Sequence, residues 1–290
     1  MMLPLFAELC AGTAALSLRL HGGKNARPPV SRMGNKQGYA SAILRTLGLR
    51  SGSGAARYLL CEPDDGCRLL LTSYTDADLR SKAAEIIRGW KDEDPRALWD
   101  RLRAEGPVKA PPADPREVAR WCHLSALSYK GDPANGYNKT EGEGCVFVGG
   151  GQVGHRPPTT PHKTAARLST LPTLPASILP DARAVDPPQL PPGSVVYIDP
   201  PYVNTTGYAH DLGRDAVCEL AERWASAGAW VVISEAEPLA ELGWHQVEIT
   251  GERVGQKRTF SKQQREYLTM SQPPLWRPSE QRTLFTMAAK

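Results

Sequence analysis

The chain is short of several features that commonly decide a protein's class. No apolar run approaches the ~20 residues that a membrane-spanning helix requires, so no transmembrane segment is expected. The apolar start, MMLPLFAELCAGTAALSLRL, lacks a basic n-region and is interrupted by Glu8, so a signal peptide is not expected. Six cysteines, at 10, 61, 67, 122, 145 and 218, include no C-x-x-C pair and have no histidine at zinc spacing. That argues against a bound metal and for reduced thiols in a cytoplasm. There is no internal repeat. Acids are scarce at the start: residues 1–60 hold eight Lys or Arg (19, 24, 27, 32, 36, 45, 50, 57) against the single acid Glu8.

What is present is ordinary globular material. The 290 residues are 41% hydrophobic and 23% charged, enough for one large domain or one domain with an insert. Net charge is only +4, but a second basic stretch, GERVGQKRTFSKQQRE, carries Arg253, Lys257, Arg258, Lys262 and Arg265. Two separated basic stretches suit an anionic partner.

Along the chain, LPLFAELCAG reads as a buried strand ending in a small-residue turn, followed by a helix over TAALSLRL. KQGYASAILRTLGL is a second helix with glycine near its end, and ARYLLCEPDD a strand ending in acids. Residues 76–105 are charged and helical, with Leu79, Ala83, Ile86 and Trp90 at helical spacing, and REVARWCHLSALSY continues in the same manner. From 131 to 193 Gly, Pro, Thr and Asn dominate, with one short strand, CVFV, and a turn near HKTAARLS. Regular order resumes with a strand over SVVYI, a helix over LGRDAVCELAERWASAG, and strands over AWVVIS and REYLTMS. Strands alternating with helices predict an α/β fold, a mostly parallel sheet with helices on both faces. Residues 76–180 read as an insert crossing the ligand-facing rim of that sheet.

Two glycine patterns carry no chemistry. GGGQVG (149–154) satisfies G-x-G-x-x-G, but HRPPTTPHK follows it and cannot open the helix that a dinucleotide site needs, so a hairpin is expected. HGGKN resembles the end of a phosphate loop, but Leu18 stands at the first glycine and Asn25 at the Ser/Thr.

The stretch SVVYIDPPY differs. Its apolar strand stops at Asp199, Pro200, Pro201 and Tyr202, and two prolines cannot continue a ladder. Residue frequencies put a chance Asp-Pro-Pro-Tyr in such a chain at roughly one in a thousand. Ligands of open α/β sheets bind beyond the carboxyl ends of strands. Asp199 and the Pro200 carbonyl offer two adjacent acceptors, and Tyr202 offers a flat aromatic face. Together they fit a planar ring bearing an exocyclic amino group. Accepting hydrogen bonds from both N–H groups localises the nitrogen lone pair and stabilises the charge that develops on attack.

These residues resemble the DNA adenine-N6 methyltransferases of the Dam type, whose signature is this Asp-Pro-Pro-Tyr. AELCAGTAALSL is similar to the family's first cofactor loop, E-P-F-x-G-x-G, with Cys10 in place of Phe and Ala14 in place of the last Gly. The resemblance implies a Rossmann-like class I methyltransferase sheet and S-adenosylmethionine as cofactor. Its contacts would be Glu8, Cys10, Ala11, Gly12 and Thr13 of the loop, Glu62 at the ribose, Asp186 from ARAVDPPQL, and Asp199. RMGNKQGYASAIL is similar to the family's W-x-G-G-K segment, which implies that Lys36 reaches the cofactor. Here that segment follows the Gly12 loop instead of preceding it, so the order of parts is locally permuted. WVVISEAEPLAELGW and VGQKRTFSKQQREYLTMS are similar to the family's late strand and its Glu-Tyr-Leu ending.

The resemblance divides the chain into a catalytic domain, 1–75 with 181–290, and a target-recognition insert, 76–180. Duplex DNA is the implied partner, with the target base flipped out onto Tyr202. Tyr129, Lys130, Asn138 and Arg156 of the insert, with Lys257 and Arg258, are the expected DNA contacts, and basic residues near 19–36 are expected to meet phosphates. No metal and no membrane are implied. Cytosine-N4 methylation, an RNA target and a binding-only relative remain alternatives.

Overall fold

The computed structural model describes residues 3–30, 32, 34–108, 112–128, 131–134, 136–137, 146–148, 152–154, 161–201, 212–249 and 266–275. Tyr202, Tyr129, Lys130, Asn138, Arg156, Lys257 and Arg258 lie outside the described residues. No helix among the described residues is long and apolar enough to cross a membrane.

Seven short strands form one sheet: β1 (Phe6–Leu9), β2 (Tyr58–Cys61), β5 (Ala176–Leu179), β6 (Val195–Ile198), β7 (Trp230–Glu235), β8 (His245–Ile249) and β9 (Glu266–Met270). They lie in the order β5-β2-β1-β6-β7-β9-β8. The first five are mutually parallel, and β9 runs antiparallel between β7 and β8. The chain enters at the centre, builds outward through β2 and β5, then returns to β6 and builds the other way. That reversal makes the carboxyl ends of β1 and β6 the switch point of a doubly wound sheet. β1 and β6 are buried at all four positions, as strands covered on both faces must be.

Side chains alternate across the strands and so sort into two cores. Phe6, Tyr58, Leu60, Val195, Tyr197, Val232 and Leu268 face one core. Over it lie helices α1 (Ala15–Gly22), α2 (Ala40–Thr46), α3 (Asp65–Thr75), α4 (Ala77–Gly89), α6 (Pro115–Leu127) and α7 (Pro161–Thr170). Ala7, Leu9, Cys61, Val196, Ile198, Val231 and Ile233 face the other, which is closed by α8 (Arg214–Ser226). Helix α5 (Pro95–Ala104) sits apart, packing Leu98, Trp99 and Leu102 against Leu124 and Leu127 of α6. The glycine pattern at 149–154 forms the expected hairpin, β3 (Val146–Val148) antiparallel to β4 (Gln152–Gly154).

Three readings change. ASIL, which falls inside the 76–180 segment, is the sheet's edge strand β5, so that segment contributes a strand to the sheet. The described helices α4, α6 and α7 of that region bury their apolar faces in the same core as the sheet. The helical turn near HKTAARLS extends to a ten-residue helix, α7, over PHKTAARLST. Two buried arginines weld this layer. Arg80 donates to the Ser73, Tyr74 and Leu171 carbonyls at 2.8, 3.0 and 3.0 Å. Arg120 donates to those of Leu102, Gly106 and Pro107 at 3.1, 2.9 and 2.9 Å. Both satisfy carbonyls orphaned at helix ends. Gly66 lets α3 touch α6, since a Cβ there would stand 1.9 Å from Trp121 Nε1.

Candidate active site

Register fixes the site before any side chain is considered. Leu9 pairs with both Cys61 and Ile198, and Ile198 pairs with Ile233. One step further, Cys10, Glu62, Asp199 and Ser234 stand in a row at the carboxyl rim. Because side chains alternate, Glu62, Asp199 and Ser234 face the same side as Tyr197 and Glu8, toward α1 and α2.

The loop after β1 is held in unusual backbone. Cys10, Gly12 and Ala14 all have positive φ, at 63°, 52° and 50°. Only glycine takes that region freely, so Cys10 and Ala14 store strain, a pattern concentrated at functional sites. Two carboxylates pin the loop. Glu62 Oε2 accepts from the Gly12 N–H at 2.7 Å, and its Oε1 accepts from the Asp64 N–H at 3.0 Å. Glu8 Oε1 accepts from the Ser17 N–H at 2.5 Å. Ala14, the N-cap of α1, has no side chain that could cap it, so Glu8 reaches from the strand to satisfy the third residue of the helix. Thr13 Oγ1 accepts from Asn35 Nδ2 at 2.9 Å, joining the loop to the segment that carries Lys36. Ala11 donates its N–H to the Cys61 carbonyl at 2.8 Å. Above Gly12 there is open space, with no atom within 4 Å of where a Cβ would be.

Lys36 belongs to a short 3-10 turn, Lys36–Gly38, in which Asn35 caps Gln37. Its ammonium is buried, 2.6 Å from Asp199 Oδ1 and 3.6 Å from Glu266 Oε1. The Ser234 hydroxyl donates to the same Glu266 oxygen. The lysine that the resemblance brings to a cofactor is therefore paired with Asp199. Asp199 donates its N–H to the Leu9 carbonyl at 3.2 Å, and Pro200 behind it is buried.

Burial dominates the electrostatics. Glu8, Asp199 and Glu235 are each pushed up to about 7, with burial the largest cause in every case. For Asp199 the Lys36 charge works against that rise while Glu266 and Glu62 add to it. Glu62 is raised by burial as well, against the two backbone N–H groups it accepts. Burial raises the Cys10 thiol, which keeps it protonated and a poor nucleophile.

The structure thus gathers Glu8, Cys10, Ala11, Gly12, Thr13, Lys36, Glu62, Asp199, Pro200 and Pro201 at one pole. Asp186 is different: it is exposed, and among the described residues no hydrogen bond or ion pair joins it to this group. Asp181, two residues past β5, lies close enough to act electrostatically on Cys10 and Cys61, and Arg183 holds its carboxyl below the usual range. Sequence reasoning also missed Glu235, Ser234 and Glu266. Glu235 carried a usable signal, an acid ending an apolar strand; Glu266 was marked only as the first residue of the Glu-Tyr-Leu ending, and its place beside Lys36 depends on antiparallel pairing.

Of the basic residues of the first sixty, Lys36 lies within this pole and Arg32 beside it. Arg32 is engaged inside, 3.3 Å from Asp64 and 3.2 Å from Asp132, and donates to Cys67. Lys24, Arg50 and Arg57 are exposed at the opposite rim, where the 51–54 loop packs on the end of α1. There Gly52 and Gly54 donate to the Arg19 and Leu20 carbonyls at 3.1 and 2.9 Å.

In comparisons with known proteins, no family model matches the chain and no curated protein matches it.

Proposed function

We propose that the chain is a methyltransferase that uses S-adenosylmethionine to methylate the N6 amino group of adenine in DNA. One observation carries the reading: the Gly12 loop, Glu62 and Asp199 converge at the switch point of a doubly wound sheet, with Glu62 hydrogen-bonded to Gly12 itself. The parallel half with an antiparallel strand slotted beside its last member is in keeping with a class I methyltransferase sheet.

The residues fit the cofactor. Gly12 leaves room for a close approach, and Glu62, fixed by two backbone donors, keeps lone pairs for ribose hydroxyls. Four buried carboxyls, Glu8, Glu62, Glu235 and Glu266, gather with the part-buried Asp199 at the pole that holds the buried Lys36, an excess of acid suited to a cationic ligand. S-adenosylmethionine, when bound, supplies a methyl group activated on a sulfonium. The chain's own contribution is to hold the acceptor. Lys36 occupies Asp199 Oδ1 and keeps the carboxylate oriented, leaving Oδ2 to accept one N–H of the target amine. The Pro200 carbonyl accepts the other, and no N–H of Pro201 competes for the site. Two acceptors set in advance raise the nitrogen's nucleophilicity and align it for in-line attack.

Incubation with labelled cofactor and duplex DNA, followed by nucleoside mass spectrometry, should yield N6-methyladenine. The variant Asp199→Ala should lose at least about a thousandfold in rate while remaining folded. N4-methylcytosine would reassign the base, and absence of both cofactor binding and transfer would overturn the reading.

A further inference from the structure

We propose that Glu266 is a positioning residue for the Asp199 acceptor: its carboxylate, anchored by Ser234, shares Lys36 with Asp199 and so sets the pH at which Asp199 ionises. The proposal rests on the methyl-transfer reading of the site. Glu266 opens β9, antiparallel to β7, and its side chain is only 3% exposed. A strand start in this place needs no acid. Burying one is costly unless it is paired and hydrogen-bonded. Glu266 has both kinds of partner on a single oxygen, the Lys36 ammonium at 3.6 Å and the Ser234 hydroxyl.

Asp199 is faced from every neighbouring element. Lys36 comes from the turn before α2, Glu62 from the end of β2, Glu8 and Cys10 from β1 and its loop, Tyr197 from its own strand, and Glu235 from β7. Glu266 lies 3.6 Å from the same ammonium that touches Asp199 at 2.6 Å. Removing its charge takes one competitor for Lys36 away from Asp199 and removes a like charge nearby. Both changes favour the ionised acceptor.

The test is the titration of Asp199, read by 13C-carboxyl NMR and by the acid limb of the methyl-transfer pH profile. In Glu266→Gln, which keeps the shape, both midpoints should move to lower pH by about one unit. Ser234→Ala removes the hydroxyl that anchors Glu266 beside Lys36. It should move them the same way by less, and serves if the first variant does not fold. Lys36→Met should move them upward. A fall in rate with unmoved midpoints would mean that Glu266 merely supports the strand, and would overturn the proposal. Moved NMR midpoints in a protein that transfers no methyl group would support the Glu266 linkage while defeating only the methyl-transfer reading.

Discussion

At the carboxyl rim of the sheet, four carboxyls are withdrawn from water and Asp199 partly so, near the buried Lys36, whereas at the amino rim Lys24, Arg50 and Arg57 stand in solvent, and the single acid of the first sixty residues, Glu8, is buried at the other rim. The same element, α1, links the two. Its first turn receives Glu8 and its last receives the 51–54 loop. Charge of either sign is cheap where water reaches it and consequential where it does not, because desolvation, more than sign, moves protonation equilibria. Counting basic residues along the sequence points to the amino rim; asking which charges are buried points to the opposite end.

Glu62→Ala breaks the contrast most directly. It removes an expected ribose partner and unpins Gly12, so calorimetry should find cofactor affinity reduced about 100-fold, or about 2.8 kcal/mol. A second prediction sets activity against stability. Below pH 7 Asp199 becomes protonated and loses its acceptor character, so kcat/KM should fall about tenfold per unit. Stability should move the other way. Glu8, Asp199 and Glu235 hold protons up to about 7 when folded but release them near 4 when unfolded, so acidification toward pH 5 favours the fold. Buried His123, held down to about 4, opposes this below its unfolded value near 6.5. Three carboxyls at about 2.5 kcal/mol each outweigh one histidine at about 2 kcal/mol, and denaturant titration should find a net gain of about 6 kcal/mol between pH 8 and pH 5. A loss over that range would mean that the carboxyls are ionised in the folded protein.

Smaller effects sharpen the comparison. Ala14→Gly relieves a left-handed alanine at the N-cap of α1 and should raise stability by about 0.5–1 kcal/mol in thermal melts. The triple change Lys24→Gln, Arg50→Gln, Arg57→Gln should alter stability by less than about 0.5 kcal/mol and leave methyl transfer unchanged. A tenfold loss of DNA affinity would instead make the amino rim a phosphate-binding surface.

Strands buried on both sides were legible because an unbroken apolar run is its own signal, as at FAEL and VVYI. The acids that end β2 and β6 stood out for the same reason. β5 was not legible: ASIL is four residues with alternating burial at the sheet's edge, too short to show a period. Asp186 came from the likeness of ARAVDPPQL to the family, whereas Asp181 is the acid that follows β5. The helix α3 went unread because its N-cap, Asp64, stands among the acids that end β2. Glu266 and Ser234 were out of reach for a different reason: their meeting is a matter of register between strands 32 residues apart.

Arg32 carries a consequence for the order in which the molecule assembles. Its guanidinium joins Asp64, Cys67 and Asp132, the last across 100 residues of chain. Contacts so distant in sequence must overcome a large loop-closure entropy before they contribute anything. The wall of the site beside Glu62 is therefore expected to close late in folding. A nascent chain that has emerged only as far as α6 carries the Gly12 loop and Glu62 but lacks the Asp132 partner of Arg32.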